Sequence, residues 1–266
     1  MKAAVHIGRQ PHHEVYGKAM AAGLERHGVE VTVSGHDQPQ PCDIAVIWGA
    51  PAKHPMVTMT ARHLLVMERG HLPDRFLYAS CGWDGLAGRG RYPKAPDGGQ
   101  RWRERYGHLL QPWKIGGEYA LVIGQVEGDA ALGDLAFDRW AQQQTDALLA
   151  TGWPVLYRRH PLASHDGRKP VGSVLAHGTL AEDLAKAAVV VTFNSTAGVE
   201  AVLAGVPTVT LDEGAMAWPV TSHALGHLVR PSREAWAHDL AWTGWTLEEI
   251  ASGDAWAHLG PIMEGA

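Results

Sequence analysis

Residues 189–214, VVVTFNSTAGVEAVLAGVPTVTLDEG, set two short apolar runs on either side of a polar turn and a helix-length run of small residues. Two strands joined in this way cannot form a hairpin. A connection of a dozen or more residues carrying its own helix joins parallel strands. The pattern recurs along the chain. Strands are expected at 3–8, at VEVTVSG, at 43–49, at 63–70 and at 75–83, with a helix over 14–28 that ends in His27-Gly28. After residue 117 the alternation resumes with a strand at 118–125, a helix at 135–152, the strand PVLYRRHP, the helix LAEDLAKA and the opening stretch itself. Short continuous apolar strands alternating with helices indicate parallel sheets covered by helices.

Between the two halves the pattern stops. Residues 84–115 are rich in Gly, Pro and Arg and show little periodicity, which divides the chain into α/β domains over 1–115 and 116–266. The tail from 231 reads as two amphipathic helices presenting Trp and Leu, and seven of the eleven Trp lie after residue 139. In a doubly wound fold the carboxyl ends of the strands are where ligands bind, so two such domains are expected to face a cleft there.

Composition excludes little but narrows the setting. There are 23 Lys and Arg against 28 Asp and Glu, a net charge of −5, so the surface as a whole does not attract polyanions. Cys42 and Cys81 have no ligand spacing and point to a reducing compartment. With no signal-like N-terminus and no run of about 18 apolar residues, a cytoplasmic chain with no membrane partner is expected. No Asp-x-Asp, HExxH or Walker pattern occurs, and no metal or bound cofactor is expected.

FNSTAG at a strand end feeding a helix suits an anion, because helix N-termini offer unpaired N–H groups. Ser195 and Thr196 add hydroxyls, Gly198 permits close approach, and Glu200 is placed to accept both hydroxyls of a ribose. An ordinary Ser/Thr cap with Glu200 favoured by the helix dipole is the alternative. Arg158, Arg159 and His160 end another strand, and Gln125 and Asp129 follow a third.

Together these stretches resemble the nucleotide-sugar half of GT-B glycosyltransferases, nearest to the capsule polysaccharide biosynthesis transferases. The resemblance rests on Gln125 and Asp129, His160-Pro161, and Ser195-Thr196-Ala197-Gly198-Val199-Glu200-Ala201 with Gly205-Val206-Pro207, over about residues 118–214. It implies two Rossmann-like parallel-sheet domains facing a cleft. It also implies a nucleotide-sugar co-substrate, a UDP-sugar first, with phosphate held by His160, Ser195 and Thr196, ribose by Glu200, and Asp212 and Glu213 near the donor sugar. Such a transferase neutralises its leaving group with helix N-termini and basic side chains instead of a metal ion.

Transfer to a hydroxyl needs a general base on the first domain. Asp84, Glu68 and His12 or His13 each follow or end a strand there. Each carboxylate has a structural alternative as the partner of a neighbouring Arg. Between Arg89 and Lys114 stand seven basic residues, among them Arg89, Arg91, Arg103 and Arg105, interleaved with Tyr92, Trp102, Tyr106 and Trp113. That mixture suits a polyanion with stackable bases, and the layout resembles phage-encoded proteins that glycosylate modified DNA bases. A hydroxymethylated pyrimidine in DNA and a saccharide are the two acceptor classes. A nucleotide-sugar epimerase or hydrolase, and a non-catalytic nucleic-acid-binding module, are the competing functions.

Overall fold

The computed structural model describes residues 1–35, 38–163 and 168–263. The chain divides into two compact units, Met1–Trp102 with Ala237–Ala266, and Arg103–Trp236.

In the first unit the apolar runs form β1 (Lys2–Ile7), β2 (Glu30–Gly35), β3 (Cys42–Trp48), β4 (Ala61–Arg69) and β5 (Tyr78–Trp83), with α1 (Pro11–Arg26) and α2 (Pro55–Thr58) between them. α1 starts three residues before the predicted 14, because Pro11 lacks only an N–H that the first turn leaves unpaired anyway. His12 and His13 therefore stand on its first turn. β2, β1, β3 and β4 are parallel in that spatial order. β5 departs from the parallel expectation: the link from β4 is a short turn without a helix, so β5 pairs antiparallel, with Arg69 opposite Ala79 and Leu65 opposite Trp83.

The second unit holds β6 (Tyr119–Ile123), β7 (Val155–Arg158), β8 (Val174–Leu175), β9 (Ala187–Thr192) and β10 (Thr208–Thr210), all parallel in the order β10-β9-β6-β7-β8. α3 (Gln100–Arg105) precedes them, and α4 (Phe137–Ala150), α5 (Leu180–Lys186) and α6 (Ala197–Leu203) connect them. Every residue of β9 is buried, which explains why VVVT reads as an unbroken apolar run.

The tail corrects the sequence reading twice. It forms α7 (Glu234–Ala241), α8 (Leu247–Ser252) and α9 (Asp254–Leu259), with a strand β11 (Gly244–Thr246) before α8 that the helical spacing of Trp and Leu conceals. β11 pairs antiparallel with β5, so these elements complete the first unit and do not close the second. Trp245 and Trp256 join Trp83 in its core. α8 lies close on α1, where a Cβ at Gly23 would collide with the Ile250 carbonyl.

Candidate functional site

Three neighbouring strands of the second unit, β6, β9 and β10, end on polar residues that bind one another. Gln125 Nε2 donates to Asn194 Oδ1 at 2.8 Å, and the Asn194 backbone N–H donates to Gln125 Oε1 at 3.2 Å. Asn194 Nδ2 donates to the Ala131 carbonyl at 2.6 Å and to Asp212 Oδ1 at 3.1 Å. Asp212 Oδ1 also accepts from the Gly214 N–H at 2.9 Å. Asp129, exposed, accepts from the Ala131 N–H and so fixes the turn whose carbonyl meets Asn194. This polar layer lies at the carboxyl edge of a parallel sheet, the edge that doubly wound folds use for ligands.

The anion-binding residues expected from the sequence divide. Ser195 accepts from the Ala197 N–H through Oγ at 3.2 Å, so it is the hydroxyl that caps α6, while Thr196 makes no side-chain cap bond. Glu200 is exposed on the first turns of α6, and Glu213 is exposed beyond β10. Gly198 does permit a close approach, but by the sheet: a Cβ there would lie 3.2 Å from Thr192 Cγ2. Arg158 is corrected. Its guanidinium bonds the buried Asp183 carboxylate at 2.5 Å and the Gly178 carbonyl at 2.8 Å, so it ties β7 to α5. Arg159 donates to the Arg168 carbonyl at 2.9 Å, and His160 Nδ1 accepts from the Leu162 N–H at 3.1 Å. Both lie half-buried beyond β7, on the same edge as Gln125.

In the first unit the antiparallel β5 decides which base candidates share an edge. Asp84 follows β5, and its N–H donates to the Leu64 carbonyl in the body of β4, away from the carboxyl ends of β1, β3 and β4. It has φ 69° and bonds Arg91 at 2.8 Å, so it is a turn carboxylate with an arginine partner. Glu68 and His12 remain at the carboxyl edge. Glu68 accepts from the Ala87 N–H at 2.6 Å and lies 3.7 Å from the buried His71, which makes it a bolt on the 84–92 loop. His12 is half-buried, its ring 4.9 Å edge-on from Trp48. Burial, and then the charge of Arg69, hold its pKa below the ordinary histidine value.

Around His12 stands a ledge that sequence reading missed. Trp48 ends β3 with His13 stacked 5.3 Å away, and the Arg69 guanidinium lies 5.6 Å from the Trp48 ring and 5.2 Å from the ring of Phe76. Phe76 is 69% exposed. The sequence hint was only a Trp closing a strand before Gly-Ala-Pro.

The basic aromatic segment is corrected in part. Trp102 and Tyr106 are buried, and Trp113 donates to the Pro231 carbonyl beneath the Arg233 guanidinium. Tyr92 packs against Gly82, and burial beside Glu68 raises its hydroxyl pKa. Arg91 bonds the Ile262 and Met263 carbonyls as well as Asp84. Lys94 bonds Asp239, Arg101 bonds Glu249, and Lys114 bonds the Leu184 carbonyl. Arg89, Arg103 and Arg105 are exposed, without an exposed aromatic interleaved among them. The aromatic residues are there to fix the segment in place.

The two units, each a Rossmann-like sheet built mainly of parallel strands, match the GT-B-like fold class expected from the sequence. Two solved structures share it. Thermosulfurimonas dismutans KpsC, beta Kdo 2,7 transferase, matches with a TM-score of 0.58 at 13% identity, over 96% of this chain and 99% of that chain. Thermosulfurimonas dismutans KpsC, beta Kdo 2,4 transferase, matches with a TM-score of 0.52 at 16% identity, over 90% of each. No protein-family model matches the sequence, and no curated protein matches it. At these identities the likeness is one of fold.

Proposed function

We propose that the chain is a glycosyltransferase that moves a sugar from a nucleotide-sugar donor to a saccharide hydroxyl. The observation that carries the reading is the polar layer of Gln125, Asn194 and Asp212 across three adjacent strand ends. In this reading the donor binds at that edge. The Ser195 hydroxyl, already accepting from a backbone N–H, has its own proton to donate to a phosphate. Thr196 and His160 assist, Glu200 receives the ribose, and Asp212 and Glu213 orient the sugar.

The acceptor is read as a saccharide because the aromatics that favoured a DNA base are buried (Trp102, Tyr106) or half-buried (Tyr92, Trp113), whereas Trp48, Arg69 and Phe76 form an aromatic and cationic ledge at the carboxyl edge of the first sheet. His12 is the proposed base. A histidine with a lowered pKa is neutral at pH 7 and accepts the hydroxyl proton as the sugar leaves its phosphate oxygen and bonds the acceptor oxygen.

Calorimetric titration and thermal shift with UDP, CMP, GDP, ADP and their sugar conjugates test the reading. At a hundred times its dissociation constant, one nucleotide should stabilise the protein by about 2.7 kcal/mol. Glu200→Ala should abolish that shift, and His12→Ala should keep it while transfer to a saccharide fails. If none of the nucleotides binds the native protein, the reading is wrong.

A further inference from the structure

Asn194 lies between two groups with proposed donor roles and is itself assigned none. The residue is 8% exposed, and its side chain reaches three other chain segments: the loop after β6, the 130–132 turn and the loop after β10. The orientation of its amide follows from one unambiguous donor. A backbone N–H can only donate, so the Asn194 N–H fixes the Gln125 carbonyl oxygen toward itself. Gln125 then turns Nε2 toward the Asn194 side chain, which makes the Asn194 oxygen the acceptor. That leaves Asn194 Nδ2 facing two acceptors, the Ala131 carbonyl and the Asp212 carboxylate. No other side chain has this shape and this mix. Asp would put an acceptor against two acceptors, and Ser has a single proton and a shorter reach.

We infer that Asn194 is a positioning residue that presets Gln125 and Asp212 for the donor, so that both side chains are ordered before a ligand arrives. This rests on the donor reading above. Groups locked in place before binding lose less freedom on binding, and their geometry is set by the protein and not by the ligand. Asn194 itself makes its bonds to protein. Its effect on the donor therefore passes through its two neighbours, which separates a positioning role from a merely structural one.

A double-mutant cycle on the full chain reads this directly. The probes are UDP, CMP, GDP and ADP, each alone and as its sugar conjugate, titrated calorimetrically into the native protein, Asn194→Ala, the double variant Gln125→Ala with Asp212→Ala, and the triple variant. Asn194→Ala is expected to bind the preferred nucleotide about tenfold more weakly or worse, the scale of one lost buried hydrogen-bond partner. In the background lacking Gln125 and Asp212, the same change is expected to weaken binding by less than about twofold, because there is nothing left to position. Asn194→Ser, run through the same cycle, takes its place if the alanine variant does not fold. Unchanged binding by Asn194→Ala, or an equal loss in both backgrounds, overturns the positioning role alone. A native protein that binds none of the four nucleotides overturns the donor reading, and the positioning role with it.

Discussion

His71 shows what burial does to one titratable residue. It follows β4, is 3% exposed, and has its pKa lowered to about 4 by burial and then by the charge of Arg75. In the unfolded chain it titrates near the ordinary histidine value of 6.5. Below that pH the unfolded state takes up the proton first. The neutral imidazole thus contributes stability that is complete above about pH 6.5 and is lost as pH falls toward 4, by up to about 3 kcal/mol. Urea unfolding between pH 7 and 4 should show that decline, and His71→Leu should flatten it. An unchanged slope in the variant would assign the decline to other groups. At this scale the sequence was legible where a residue's role is local. Ser195 caps α6 as a Ser before a helix should. It was illegible where the role depends on a partner far along the chain: nothing near Arg158 announces Asp183, and nothing near Asn194 announces Asp212.

At the scale of elements, the parallel strands were legible because burial on both faces writes itself as unbroken apolar runs. The direction of β5 was not, since an apolar run carries no sign of which way it pairs, and that direction removed Asp84 from the carboxyl edge. β11 is three residues long and was hidden in a helical pattern of Trp. Arg101 is what fixes that pattern in place. It bonds Glu249 at 2.8 and 2.9 Å and the Ala241 and Gly244 carbonyls at 2.8 Å, and its guanidinium lies 4.9 and 4.7 Å from the rings of Trp242 and Trp245. Glu249 is also the reciprocal partner in the Thr246 cap of α8. Arg101→Ala strands the Glu249 carboxylate and should cost about 3–5 kcal/mol, read as a lower denaturation midpoint. A loss below about 1 kcal/mol would mean that the pair is screened as surface pairs are.

For the whole molecule, the division at residue 115 misplaced the tail because domain boundaries drawn from sequence assume that neighbours in the chain stay neighbours in space. The first unit is built from both ends of the described chain. Deleting residues 237–266 removes β11 from the edge of β5 and α8 from α1. Hydrogen exchange on that truncation should show β3, β4 and β5 losing protection while β6, β9 and β10 keep theirs. Equal loss in both sheets would show that the two units unfold as one.

The order of synthesis gives this topology a cost in time. β5 emerges some 160 residues before β11, roughly 8–32 s at 5–20 residues per second. Through that interval the open edge of β5, with Tyr78, Ala79 and Ser80 on it, has no strand beside it and is a template for the wrong partner. The second unit, contiguous and complete earlier, is ready to fold while the first still waits for its last strand.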